Sequence, residues 1–375
     1  MRRRTFVHTG IAAISGLLLS GCGDASQPVV GDGSNGDDDD GRQWMMPEEG
    51  SSHARTWMAF GAGARIWGRD LLPEVQRNLV TIATTIARFE PVSMLVRPAE
   101  IGLARSLIGA ADVELIPAEL DDLWMRDIGP VFVQGGGRTA GVDFNFNGWG
   151  EKQEYRRDAE VARFVTSRAG VETLRTDLVL EGGGIEVDGE GTAIITESCV
   201  LNDNRNPGWK KRDVEEELAA LLGIEKVIWL PGIAGADITD GHTDFYARFA
   251  GPGVVVAGLD NDPESFDYDV TRRHLDILHS ATDVHGRPLR VEVLEGPSTV
   301  REAFADDDFA AGYINFYVCN GAVIAAEFGD PETDPAARAT LERLFPGREV
   351  VQIGIDGLAA GGGGIHCTTQ QQPAA

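Results

Sequence analysis

Close to its C-terminus the chain reads Gly361-Gly362-Gly363-Gly364-Ile365-His366-Cys367-Thr368-Thr369-Gln370-Gln371. A lone cysteine is ordinarily a small buried apolar residue. Four consecutive glycines make a poor core strand, however, and let a backbone take positive φ and a ligand approach without meeting a Cβ. Together with a distant histidine and carboxylates, Cys367 fits a thiol nucleophile. Such partners occur in Trp124-Met125-Arg126-Asp127, in Glu181-Gly182-Gly183 and in Asp240-Gly241-His242-Thr243-Asp244. If the last of these is a strand, His242 and Asp244 share a face, because side chains two apart point the same way. The competing structural roles are a salt bridge with Arg126 for Asp127 and an ordinary loop acid for Glu181. As metal ligands His242 and Asp244 are a weak signal, since no Cys or His cluster with zinc spacing accompanies them. Carboxylates facing a thiol suit a planar cation, and guanidinium offers five N–H donors in a fork that carboxylates accept in pairs.

The segments that must position these residues repeat one pattern, an apolar-striped helix followed by a short β-rich run. Leu72, Val75, Leu79, Ile82 and Ile86 fall at helical spacing before residues 92–96. Helices over 159–169, 214–222, 270–278 and 336–345 precede runs at 172–174, 227–230, 289–293 and 350–353. Between the units lie paired strands with glycine-containing turns, such as 245–249 with 254–257 and 313–318 with 322–326. A roughly fivefold repeat of strand and helix argues for a closed radial array, in which chemistry-bearing segments far apart in sequence converge on the axis.

Residues 1–21 run from Arg2-Arg3-Arg4 through an apolar stretch about half as long as a bilayer span of roughly 20 residues. The run ends at Leu19-Ser20-Gly21-Cys22. That ending resembles a bacterial lipobox, so residues 1–21 are expected to be a lipoprotein signal peptide and Cys22 a lipidated N-terminus anchoring the protein to a membrane. Arg3-Arg4-Thr5-Phe6-Val7 also resembles a twin-arginine export signal. Residues 22–43, with four aspartates from Asp37 to Asp40, read as a disordered acidic tether. Residues 44–375 are left as one catalytic domain. The net charge of −26 argues against nucleic acid as a partner. Cys199 and Cys319 remain; they either pair or lie buried as free thiols, and neither is assigned to the chemistry.

Over residues 44–373 the chain resembles the agmatine deiminases. These are guanidino-group-modifying enzymes related to bacterial peptidylarginine deiminase, with a five-bladed α/β propeller fold, the pentein, built of ββαβ-type repeats. The motifs that carry the resemblance are Trp124–Pro130, Phe144–Gly150, Leu180–Gly183, Asn202–Pro207, Thr239–Asp244, Tyr313–Tyr317, Phe328–Pro331 and Gly361–Gln371. The resemblance implies Cys367 as nucleophile, His242 as general acid and base, Asp127 and Asp244 as guanidinium-binding carboxylates, and Glu181 as a further active-site acid. Trp124 falls among the substrate-binding positions. Where many of these enzymes carry an acid immediately before the Thr-x-Gly-His segment, to hold the substrate's distal amine, this chain has Ile238, with Asp237 one residue earlier as the expected substitute. The expectation is an exported, lipid-anchored hydrolase of a small cationic guanidino compound, agmatine first, working without a cofactor. Its rivals are an arginine or peptidyl-arginine deiminase, an amidinotransferase, and a non-catalytic guanidine-binding lipoprotein.

Overall fold

The computed structural model describes residues 44–304 and 309–375; the expected signal peptide, Cys22 and the expected tether lie outside them. Five small sheets account for the described strands. The first contains β1 (His53–Phe60), β2 (Val92–Val96) and β3 (Val113–Pro117). The second contains β4 (Val131–Gly135), β5 (Arg138–Asp143) and β6 (Glu172–Arg175), and the third β7 (Ile185–Val187), β8 (Thr192–Thr196) and β9 (Lys226–Leu230). In the fourth are β10 (Ala247–Gly251), β11 (Val254–Leu259) and β12 (Arg290–Glu295), and in the fifth β13 (Tyr317–Cys319), β14 (Ala322–Glu327) and β15 (Glu349–Gly354).

Each of these last four units is an antiparallel hairpin whose second strand pairs parallel with the third after a helical crossover. The crossover helices are Val161–Ala169, Lys211–Leu222, Tyr268–Ser280 and Thr333–Leu344. A parallel neighbour cannot be reached by a tight turn, and the apolar stripe of each helix supplies the cover that the sheet face needs. In the first unit the same role falls to Ala64–Ile86, which breaks at Gly68 (φ 69°) and then buries Val75, Leu79, Ile82 and Ile86. That unit's hairpin is completed from the far end of the chain, because β16 (Thr369–Pro373) pairs antiparallel with β1. The last segment is therefore locked into the first sheet. Strand β16 also lies beside β4, and β7 beside β10, so first strands of successive units are neighbours.

The helix-then-strand repeat expected from periodicity is present in all five units. One strand differs: Tyr313–Phe316 is not part of β13. Tyr313, Ile314 and Phe316 are buried there as part of the core, and the Tyr313 hydroxyl is tied to Thr333 and Asp334.

Candidate active site

The unit repeat explains how the chemistry is gathered. Asp127 precedes β4, Glu181 precedes β7, His242 and Asp244 precede β10, Asn315 precedes β13, and Cys367 precedes β16. All occupy the same place in the repeat, the entrance to a unit's first strand, and all are buried. Gly183 marks the centre: a Cβ there would stand 2.7 Å from His242 Nδ1, 2.9 Å from Asp127 Oδ1 and 3.2 Å from Asp244 Oδ2. Only glycine lets these three side chains meet.

His242 and Asp244 reach the site by a different route from the one expected. They lie in a turn, Thr243–Phe245 being one 3₁₀ segment with His242 extended just ahead of it. Asp127 lies in a single helical turn, Met125–Ile128. Its neighbour Arg126 points away, pairing with Glu49 at 3.0 Å and donating to Gln371 at 2.8 Å. The salt bridge considered for Asp127 is therefore made by other residues.

His242 sits between two acids, with Nδ1 3.7 Å from Asp127 Oδ1 and Nε2 3.3 Å from Glu181 Oε2. Burial alone would discharge it, but Asp127, Cys199 and Glu181 together hold its pKa well above the ordinary histidine value. Burial would also raise Glu181, yet Arg205, bonded to both its oxygens at 2.9 and 3.0 Å, and His242 bring it down to about 2. Asp244 is likewise held at about 2, with His366 Nδ1 at 2.8 Å from Oδ2 overcoming the cost of burial. Asp127 is the opposite case. Burial, and then the negative charges of Asp244 and Glu181, outweigh His242 and leave it at about 6.

Cys367 Sγ lies 3.5 Å from Asp244 Oδ2 and within 3.3–3.4 Å of the Asn315 side-chain amide. Burial, Asp244 and Asp127 all push the thiol's pKa well above its ordinary value. Asp244 Oδ1 is buried and has no hydrogen-bond partner among the described residues. A planar cation lying against Asp127 and Asp244 would supply that partner and offset the charge that keeps Cys367 protonated.

A cavity opens beside this cluster. Asp127, His242 and Cys367 line it with Trp124; Glu181 and Asp244 stand behind those residues. Three of the four glycines serve close approach more than conformation. A Cβ at Gly361 would strike the Trp67 ring at 2.1 Å, one at Gly363 the Trp124 ring at 2.3 Å, and one at Gly364 the Asn315 oxygen at 2.5 Å. Only Gly362 takes a positive φ, 88°.

Asp237 is placed elsewhere. Its Oδ1 accepts from Thr239 N, Thr239 Oγ1 and Gly241 N, so it shapes the loop ahead of His242, while Ile238 faces the cavity.

Five participants escaped the sequence reading. Glu49 accepts from Arg126, Arg248 and His366, the last of which also holds Asp244. Arg205 neutralises Glu181, and Asn315 cradles the thiol. Cys199, a free thiol like Cys319, donates to Glu181 at 3.7 Å and so is not remote from the chemistry. Glu181, Cys199 and His242 lie close enough to share an ion, but Arg205 already takes both Glu181 oxygens and brings a positive charge. Trp149 donates from Nε1 to Asp127 Oδ2 at 3.0 Å from a backbone held at φ 56°, an uncommon state for a bulky residue. Of these, Asn315 had a usable signal, its position ahead of a unit's first strand.

The Trp149 bond favours charged Asp127. Trp149→Phe should therefore raise the Asp127 pKa, about 6 in the parent, further and move an acid limb of kcat/KM set by Asp127 to higher pH. An unmoved limb would mean that another group sets it.

The profile of the Porphyromonas-type peptidyl-arginine deiminase family matches residues 45–373. A Streptomyces coelicolor relative is 44% identical over 340 residues, covering 88% of this chain and 99% of its own. The agmatine deiminase of Ectopseudomonas mendocina is 38% identical, with 88% and 95% covered. Among solved structures, the agmatine deiminase of Enterococcus faecalis superposes with a TM-score of 0.83 at 32% identity, covering 88% of this chain and 96% of that one.

Proposed function

The chain belongs to the Porphyromonas-type peptidyl-arginine deiminase family, and on that premise we propose that it hydrolyses agmatine to N-carbamoylputrescine and ammonia through a covalent adduct on Cys367. The observation that carries the choice of substrate is the charge pattern of the cavity. Its lining holds two carboxylates, Asp122 and Asp127, with the rings of Trp67, Trp124, Trp149 and Phe245, and includes no lysine or arginine. A slender dication suits such walls. Free arginine would bring an α-carboxylate, whereas the cationic side chain of the lining, His242, is already held between Asp127 and Glu181 at the reacting end.

In the proposed reaction the guanidinium lies between Asp127 and Asp244, and its charge lets the Cys367 thiol release a proton to solvent. The thiolate bonds to the guanidinium carbon. As the C–N bond breaks, the electron pair leaves with nitrogen, and His242, protonated at neutral pH, gives that nitrogen its proton, so ammonia departs. His242 then takes a proton from water as the oxygen adds to the thiouronium carbon. The C–S bond breaks as the hydroxyl proton passes to sulfur, returning the Cys367 thiol and leaving the neutral ureido product. Glu181, itself held by Arg205, keeps the imidazole oriented through both steps.

Ammonia release from agmatine, arginine and an arginyl peptide, measured in parallel on the chain from Gln43 onward, tests the reading. It requires agmatine to give the highest kcat/KM. A faster arginyl substrate would replace agmatine, and binding without ammonia would make the protein a guanidine-capturing one.

The same reading has the enzyme exported and held at a membrane by lipid on Cys22, which the basic start, short apolar run and Leu-Ser-Gly-Cys ending support. Cys22→Ala should release the protein from membranes without lowering the activity of the soluble domain. Wild-type protein found mainly in the cytoplasm with Met1 retained would remove this part of the proposal.

A further inference from the structure

Among the residues lining the cavity, Asp122 has no part in the reaction just described. It is buried, 1% exposed, in the segment between β3 and the turn that carries Asp127. The donors to its carboxylate are neutral: Trp67 Nε1 reaches Oδ1 at 2.8 Å and Gln153 Nε2 reaches Oδ2 at 3.0 Å. Its backbone is fixed independently of the side chain. Asp158 accepts the N–H groups of Asp121 and Asp122 at 2.8 and 2.9 Å, and a Cβ on Gly61 would lie 1.9 Å from the Asp122 carbonyl oxygen. A carboxylate buried without a cation is costly. This one is raised to about 6, by burial above all. Trp67 and Gln153, with the Leu123 N–H and the Trp124 side chain, orient the group, but none of these donors brings it a positive charge.

We infer that Asp122, and not an acid on the loop ahead of His242, recognises the distal ammonium of the substrate, and so sets specificity for a guanidine carrying a terminal amine. Three observations combine. Asp122 and Asp127 bound one cavity, so one elongated molecule can meet both. Ile238 presents an apolar side chain where an acid was sought, and Asp237 turns Oδ1 into its own loop. Trp67 and Trp124, with ring centroids 5.7 Å apart, add aromatic surface at Asp122 that suits a methylene chain and an alkylammonium. The assignment rests on the agmatine reading above and extends it to the other end of the molecule.

The test compares agmatine with n-butylguanidine, which lacks the terminal amine, in wild type, Asp122→Asn and Asp122→Glu. Wild type should prefer agmatine by about tenfold or more in kcat/KM, the worth of a charge-assisted hydrogen bond. In Asp122→Asn that preference should collapse to roughly threefold or less through a higher KM for agmatine, with butylguanidine nearly unchanged and kcat for agmatine largely kept. A purely structural role would lower both substrates together, and that result overturns the inference, as does a wild type indifferent to the amine. Should Asp122→Asn fail to fold, Asp122→Glu decides: it keeps the charge and must keep a preference for agmatine, and losing it counts against the assignment. Ammonia from neither substrate in wild type would instead sink the deiminase reading, and this inference with it.

Discussion

Cys367→Ser should lower ammonia release by roughly 10⁴-fold or more, the scale seen when a covalent nucleophile is removed. A serine hydroxyl ionises far less readily than a thiol, and this site is built to make ionisation hard even for sulfur. Cys367 is buried and faces Asp244 at 3.5 Å, with Asp127 nearby, so its thiol stays protonated until a cation arrives. Serine would lack even that substrate-dependent route. The melting temperature should hardly move, because oxygen can take the place of sulfur against the Asn315 amide. Cys319→Ser serves as the comparison: that thiol is buried in β13, away from the residues gathered around Gly183, and the variant should keep its activity if it folds. Cys199→Ser does not qualify, since Cys199 donates to Glu181.

Asp127→Asn and Asp244→Asn should each reduce kcat/KM by more than about tenfold, since a hydrogen bond to a charged group is worth about 2 kcal/mol. Their stabilities should part company. Asp244 has a folded pKa of about 2, below its unfolded value, so it stabilises the protein above the unfolded pKa and loses that contribution as pH falls through the folded one. At pH 7, Asp244→Asn should therefore lower the melting temperature as well as the activity, because it strips His366 of a charged partner. Asp127, at about 6, is raised above its unfolded value, and its ionisation costs stability as pH climbs from the unfolded to the folded pKa. At pH 7, Asp127→Asn should then hold or raise the melting temperature while activity falls, as happens where a strained charge serves function. Near-wild-type kinetics in a folded variant would remove that aspartate from the site.

The unit repeat was legible because each crossover helix covers one sheet face, which imposes a 3.6-residue stripe such as Val75, Leu79, Ile82 and Ile86. That Cys367, His242, Asp127 and Asp244 come together was legible because segments holding the same place in a closed repeat converge near its axis. The mode of convergence was not. A strand would have set His242 and Asp244 on one face, whereas a 3₁₀ turn brings both to Gly183, and the loop ahead of it is held by Asp237 accepting from its own backbone. Asp237 thus looked like a ligand-binding acid because loop-capping and substrate-binding acids are identical in sequence. Glu49 was invisible for a related reason. It stands between Glu48 and Gly50-Ser51-Ser52, a run with no helix or strand pattern, and only tertiary structure sets it among Arg126, Arg248 and His366. Charge pairing across 77 to 317 residues of chain leaves no local pattern to read.

The central claim is that the Cys367 sulfur bonds to the guanidinium carbon of agmatine. Intact-protein mass spectrometry of enzyme quenched during turnover tests it most directly, with peptide mapping to place the adduct. The expected result is a species heavier by agmatine less ammonia, mapped to Cys367 and missing in Cys367→Ser. Turnover without any adduct under conditions where chemistry limits the rate, or an adduct on Cys199 or Cys319, would contradict the account.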